Sequence, residues 1–278
     1  MTWNIVADSS CDIFGLDKNS DNITFAYVPF VITVDDKDYV DDDGLKVPDL
    51  LRAMKESKEA SHTSCPAPYS WFREFEKPGN TIAVTISGNL SGSYNSACVA
   101  KDMILEEYPD KKIGIVDSCA TGPSLYLIIR KLVELIESGY DFDAVMEKIE
   151  EFRKNSKIIF ALSSYNNLIK NGRMPKVAAL LAQKLNLWGV GIGSDVGKIV
   201  IKKIARGSKG ALDTIVSDMQ ERGITKNSVI IDHCDNAEFA ERLKQLILDH
   251  WPTVDVTIIP TRGLCSYYAE EHGVIVAY

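Results

Sequence analysis

Residues 81–100, TIAVTISGNLSGSYNSACVA, constrain the fold more than any other stretch of the chain. The run 81–86 is apolar and β-branched, which predicts a buried strand, and it breaks into a Gly/Ser turn. From Gly92 onward, Tyr94, Ala97, Cys98, Met103 and Ile104 recur on one helical face, with Ser91 or Ser93 placed to cap the start. A strand, a Gly/Ser turn and a helix N-terminus in succession leave backbone N–H groups unpaired at the positive end of a helix dipole. Such a turn binds an anion, and the remaining residues must say which one.

The same alternation extends through the first half. Residues 5–7 predict a short strand ending in Asp8-Ser9-Ser10-Cys11-Asp12, either one wall of a ligand crevice or a plain Asx or Ser turn. Residues 25–34 predict a second strand whose Pro29 marks an edge or a bulge, and the aspartates between Asp35 and Asp43 predict a solvated hairpin and loop. A helix over 47–57 enters through Pro48. In 62–68, HTSCPAP, the prolines predict a rigid loop without regular structure, where Thr63 and Ser64 either form a second polar wall or cap a helix over 69–75. A strand over 112–117 and helices over 121–138 and 141–154 follow. Strand and helix in alternation predict an α/β fold, with a mainly parallel sheet covered by helices on both faces.

The second half is mixed α/β as well. Strands are expected over 157–162, 229–232, 254–259 and 274–277, and a hairpin over 188–194 and 198–205. Helices are expected over 176–185 after Pro175, over 208–222 and 236–249, with a short one over 263–272. At 278 residues the chain is long for a single core, so two domains are expected, 1–155 and 156–278.

Composition narrows the partners. A net charge of -8 argues against a general nucleic-acid or anionic-membrane binder, since both need a basic face. The six cysteines are scattered singly and the four histidines form no tight metal spacing, so neither a structural zinc nor any other metal is expected. No run of about 18 apolar residues occurs, and the start has no basic, apolar leader pattern, which points to a cytoplasmic protein with reduced thiols and no stable membrane insertion.

Familiar catalytic motifs miss. In Gly88-Asn89-Leu90-Ser91-Gly92 the serine falls one place late for a nucleophile elbow, and 193–198 is too short for a P-loop. Gly189, Gly191 and Gly193 alternate along a strand instead of forming a dinucleotide fingerprint. What is left is a set of hydroxyls with no positioned base, better suited to holding an anion than to nucleophilic attack.

ADSSCD at 7–12, Thr63-Ser64-Cys65-Pro66, ISGNLSGSYNSA at 86–97, VDS at 116–118, Asn171-Gly172-Arg173 and Arg206-Gly207 occur in an order and spacing that resembles the DegV family of bacterial proteins over essentially the whole chain. That resemblance implies two α/β domains with a long-chain fatty acid in a tunnel between them. It also implies a substrate-presenting role, in which the carboxylate is offered to a separate ATP-binding kinase subunit that makes the acyl phosphate, with no cofactor and no catalytic residue in this chain. By the same resemblance Thr63, Ser64, Ser91, Gly92 and Ser93 hold the carboxylate, and Arg173 contacts the rim or the partner; His62, which adjoins the hydroxyl loop, is a further candidate for the head group or the partner, and Arg262 is either a charged contact of the same kind or a surface residue. The chain departs from the family near its C-terminus, where Thr261-Arg262-Gly263-Leu264-Cys265 stands in place of a His-Thr-Gly-Pro-Gly segment. Two other functions stay open: an acyl hydrolase using Ser93 or Cys65 with His62, and a lipid-sensing carrier without a kinase.

Overall fold

A computed structural model describes residues 2–18, 20–59, 61–174, 186–225 and 227–278. The first half contributes strands β1 (Trp3–Asp8), β2 (Ile23–Val28), β3 (Val31–Val34), β4 (Lys37–Val40), β5 (His62–Ser64), β6 (Asn80–Thr85) and β7 (Ile113–Asp117). Its helices are α1 (Val47–Glu56), α2 (Pro68–Phe75), α3 (Ser93–Glu107), α4 (Pro123–Glu137) and α5 (Phe142–Lys154). The second half contributes β8 (Ile158–Leu162), α6 (Asn166–Lys170), β9 (Leu187–Gly193), β10 (Ile199–Arg206), α7 (Gly207–Arg222), β11 (Ser228–His233), α8 (Ala237–His250), β12 (Asp255–Pro260), α9 (Gly263–Ala269) and β13 (Val274–Ala277). The helix expected over 176–185 lies outside the described residues.

The first sheet, in the order β2-β1-β6-β7, is parallel throughout. Its strands alternate between two apolar faces. Ile5, Ala7, Ile82 and Val84 join α4 and α5, while Val6 and Ala83 join Trp71, Phe72 and Phe75 of α2 and Ala97, Ala100 and Ile104 of α3. Burial on both faces is why 81–86 shows no polar alternation.

The second sheet, β10-β9-β8-β13-β11-β12, is antiparallel except for the β11–β12 pair. Ile159, Ala161, Val190, Val229, Ile231, Val274 and Val276 face α7 and α8. The alternate residues Ile158, Phe160, Leu162 and Ile275 face the other way, toward Ala120, Leu168, Cys265 and Tyr268. Helix α4 packs against β1 and β6 of the first sheet and against β11 and β13 of the second, so one apolar helix serves both.

Three local expectations change. The single strand expected over 25–34 divides at Pro29, with β2 staying in the parallel sheet and β3 turning into a three-stranded antiparallel sheet, β4-β3-β5. The loop expected over 62–68 begins as strand β5, with Thr63 opposite Ile32, because β3 offers an open edge upstream of the prolines. Asp41 is fully buried rather than solvated, for a reason that belongs to the site.

Candidate functional site

The loops that follow the parallel strands meet the inner face of the second sheet and enclose an apolar cavity. Two lobes of it share Leu90, Thr121, Leu168, Ile199, Tyr268 and Ile275. One lobe runs past Ile158, Phe160 and Leu162 to Cys119, Gly193 and Lys198. The other ends among Thr63, Ser91 and Arg173, the polar end of the cavity. The alternating glycines of β9 give the inner face its shape. A Cβ at Gly189 would sit 2.1 Å from the Tyr165 hydroxyl, and one at Gly191 2.4 Å from the Phe160 ring, so these aromatic rings lie across the strand only because no side chains stand there. The hairpin turn beyond Gly193 is tied to the other half by Ser87 Oγ donating to Gly197 O at 2.9 Å and Asn89 Nδ2 donating to Val196 O at 2.8 Å.

Asp8, at the end of β1, organises the turn before α3. Its carboxylate accepts from Ser10 Oγ at 2.5 Å, Ser93 Oγ at 2.6 Å and Ile86 N at 2.9 Å. Burial pushes this carboxyl up to about 6, and the hydrogen bonds hold it from rising further. Ser93 was expected to hold a carboxylate ligand, but it is fully buried with its hydroxyl given to Asp8, and it does not line the cavity. Ser91 does line it. Its Oγ accepts from Ser93 N at 3.3 Å, which occupies one lone pair and leaves the hydroxyl proton free. Gly92 is exposed, and a Cβ there would lie 3.2 Å from Cys65 Sγ.

Strand alternation sorts the neighbouring candidates. On β5, Thr63 turns inward, whereas His62 and Ser64 on either side are exposed. The hydrolase pairing of Ser93 with His62 is therefore not assembled, because the serine is buried against Asp8 and the histidine faces outward. Thr63 Oγ1 lies 2.8 Å from the Tyr268 hydroxyl. Arg173 is half-buried at the same end. Its Nε donates to Leu90 O at 3.2 Å, in the turn that carries Ser91, and Nη1 donates to Asn171 O. Asn171 Nδ2 in turn donates to Ser61 O at 3.4 Å, just before β5, and to the Tyr267 hydroxyl at 2.9 Å, so the Asn-Gly-Arg segment contacts both hydroxyl-bearing segments of the first half.

Arg262, expected at the head group, is buried elsewhere. Its guanidinium donates to Ile13 O at 2.8 Å and Asp41 O at 3.0 Å and lies 3.6 Å from the centre of the Phe14 ring and 4.3 Å from that of Tyr27. Asp41 is buried because its carboxylate accepts from the first N–H groups of α9, Gly263 at 2.8 Å and Leu264 at 3.0 Å. Arg262 and Asp41 thus set α9 in place, and α9 presents Tyr267 and Tyr268. Neither tyrosine stood out in the sequence, where an aromatic pair after a short helix has the pattern of ordinary core.

A second polar cluster lies between the halves. Asp12 Oδ1 accepts from Arg262 N at 2.6 Å, while Asp12 Oδ2 and both Asp232 oxygens are buried without other hydrogen-bond donors. A Cβ at Gly122 would sit 3.0 Å from Asp232 Oδ2 and 3.3 Å from Asp12 Oδ2, which places the two carboxyls together. Burial pushes Asp12 up to about 7 against the opposing hydrogen bond with Asp232, and burial together with the repulsion of Asp12 raises Asp232 well above the carboxylate range. Such a pair titrates as a unit, and a single proton held between the two carboxyls would relieve the burial of both. All six cysteines are free thiols. Among the described residues, no group of three or more His, Cys, Asp or Glu is placed to hold a metal ion, and no helix is long and apolar enough to cross a membrane.

Comparison with known proteins supplies the context. The family model described as "Uncharacterised protein, DegV family" matches residues 2–278. A DegV domain-containing protein of Streptococcus pneumoniae serotype 4 is 38% identical over 278 residues, 100% of this chain and 99% of the relative. The solved structure of the Streptococcus pneumoniae Fatty Acid Kinase (Fak) B3 protein, loaded with linoleic acid, superposes with a TM-score of 0.98 at 38% identity, covering 100% of this chain and 99% of that one. A DegV family protein from Eubacterium eligens loaded with heptadecanoic acid superposes with a TM-score of 0.94 at 32% identity, covering 99% of each chain.

Proposed function

The chain belongs to the DegV family, and from that premise we propose that it binds a long-chain fatty acid in the cavity and presents the carboxylate to a separate ATP-binding kinase subunit in the cytoplasm. The observation that carries this reading is the division of the cavity into an apolar length and one polar end, where Thr63, Ser91 and Arg173 converge. The two loaded relatives, each alike over nearly the full chain, support the choice of ligand. The name of the pneumococcal relative supports the kinase.

The energetics suit such a ligand. About 15 buried methylenes at roughly 0.8 kcal/mol each give on the order of 12 kcal/mol before the costs of association and ordering. The tail provides affinity, and the head needs only enough donors to avoid an unpaired charge in a dry site. In this reading Thr63 and Ser91 donate to the carboxylate and Arg173 supplies positive charge at the rim. The domains 1–155 and 156–278 close over the chain, and the carboxylate remains able to attack a phosphoryl donor held by the partner. The chain itself performs no bond chemistry.

Mass spectrometry of the purified protein is expected to find a bound fatty acid. Addition of a fatty acid kinase subunit with ATP is then expected to yield acyl phosphate. A protein free of lipid that also fails to take up linoleic acid overturns the ligand. Lipid binding without acyl phosphate overturns the kinase partnership alone.

A further inference from the structure

The contact between Thr63 and Tyr268 has a direction that the head-group reading leaves open. We propose that Tyr268 is a positioning residue that commits the single proton of Thr63 to the anionic end of the ligand, which lets the site distinguish an acid from its ester. The proposal rests on the fatty-acid reading above.

A threonine hydroxyl and a phenol each have one proton to donate and lone pairs to accept with. At 2.8 Å between Thr63 Oγ1 and the Tyr268 hydroxyl, either partner can be the donor. An ionised carboxylate removes that freedom, because it only accepts. Once Thr63 donates to the carboxylate it has no second proton, so the phenol must donate to Thr63. The chain of hydrogen bonds then runs one way, from Tyr268 through Thr63 to the ligand, and each bond polarises the next. A bond to an ionised acceptor is about twice as strong as a neutral one, so an ester carbonyl gains much less from the same relay.

The surroundings hold Tyr268 to this role. Its ring lines both lobes of the cavity, and its hydroxyl meets Thr63 at the polar end. Burial, the largest influence, raises the phenol above its ordinary range despite the opposing effects of the Thr63 hydrogen bond and the Arg173 charge, so it keeps its proton at neutral pH. Beside it, Tyr267 packs edge-on with ring centres 4.9 Å apart and lies 2.7 Å from Ser61 Oγ. Two consecutive tyrosines therefore grip β5 and the residue just before it, Tyr267 at Ser61 and Tyr268 at Thr63. Ser91 shows the same arrangement independently, since Ser93 N fills a lone pair on its oxygen and its proton is left for the ligand.

The test is a double-mutant cycle read with linoleic acid and methyl linoleate as probes on the full chain: unsubstituted protein, Tyr268→Phe, Thr63→Val and the double variant. Tyr268→Phe is expected to weaken the acid about tenfold, equivalent to about 1.4 kcal/mol, and the ester by less than about twofold. In the Thr63→Val background the same change is expected to weaken the acid by less than about twofold. In Thr63→Ser, which keeps a hydroxyl, the effect of Tyr268→Phe is expected to return. Equal losses on acid and ester, or a tenfold loss that persists without the Thr63 hydroxyl, overturn the relay and leave Tyr268 as a wall of the cavity. No effect of Tyr268→Phe on the acid also overturns it. Failure of the unsubstituted protein to bind the acid overturns the fatty-acid reading itself, and the relay with it.

Discussion

The hydroxyl of Ser93 donates to Oδ2 of Asp8 across 2.6 Å, joining the first turn of α3 to the end of β1 in a fully buried contact. Removing one donor from a buried carboxylate costs about 1–3 kcal/mol. Ser93→Ala is therefore expected to lower stability by that amount while leaving the ratio of acid to ester affinity unchanged. The loss should depend on pH. Asp8 has a folded pKa raised to about 6 from 3.8, so its contribution is full below about 3.8 and falls as pH rises through 6. With one donor fewer its carboxyl rises further, and the deficit of the variant should be larger at pH 7.5 than at pH 5. Denaturant melts at the two pH values check this, and a variant with unchanged stability but lost acid preference would return Ser93 to the head-group site.

Ser91→Ala removes a hydroxyl in the cavity wall whose oxygen already accepts from Ser93 N and whose proton is available to a ligand. Hydrogen bonds to charged groups are worth about 1.5–3 kcal/mol, or roughly tenfold to a hundredfold in affinity. The expected outcome is a loss of that size for linoleic acid and little change for methyl linoleate, measured by calorimetric titration. Parallel losses on both ligands would show that Ser91 shapes the cavity without reading the charge.

Asp12 and Asp232 share a dry site between the halves, and both carboxyls are raised, Asp12 to about 7. Their protonated forms favour the folded state, so the pair contributes fully below about pH 3.8 and loses that contribution as pH rises through and beyond 7. Asp232→Asn leaves a neutral N–H donor facing Asp12 and removes one of the two titrations. Between pH 5 and 8, stability of the variant is expected to fall less steeply than that of the unsubstituted protein, by about 1.4 kcal/mol per pH unit. Stability curves that run parallel across this range would show that no proton is shared.

Gly193 lines the apolar lobe, and a Cβ there would stand 2.6 Å from Ile158 Cγ2. Gly193→Val is expected to fill that part of the cavity and to disfavour long ligands. Each methylene excluded should weaken binding about fourfold, from roughly 0.8 kcal/mol apiece. Competition between 18-carbon and 14-carbon saturated acids, read by mass spectrometry of the complex, should shift toward the shorter chain. An unchanged preference would mean that the tail lies elsewhere in the cavity.

The parallel sheet with helices on both faces was legible from the sequence because a strand buried on both sides loses its polar alternation, as in residues 81–86. The helices α1, α2 and α8 were legible for the same kind of reason. Each follows from residues within a few positions of one another. The pattern misled where a partner distant in the chain decides. Prolines at 66 and 68 concealed β5, which exists because β3 lies beside it, and a run of aspartates concealed Asp41, which is buried because the N-terminus of α9 needs an acceptor.

Local sequence determined most of the elements, β5 excepted, and which segments carry hydroxyls. The tertiary structure decided which hydroxyls point into the cavity. Ser91 and Ser93 are two residues apart, yet only one reaches it, because Asp8, 85 residues from Ser93 in sequence, accepts the proton of the other. Thr63 faces inward and Ser64 outward by strand alternation, and the phenol that meets Thr63 comes from a position 205 residues away. Burial makes an unpaired hydrogen-bonding group expensive, so each polar side chain turns toward the partner that the fold brings near, and that partner cannot be read from the side chain's own neighbours in the chain.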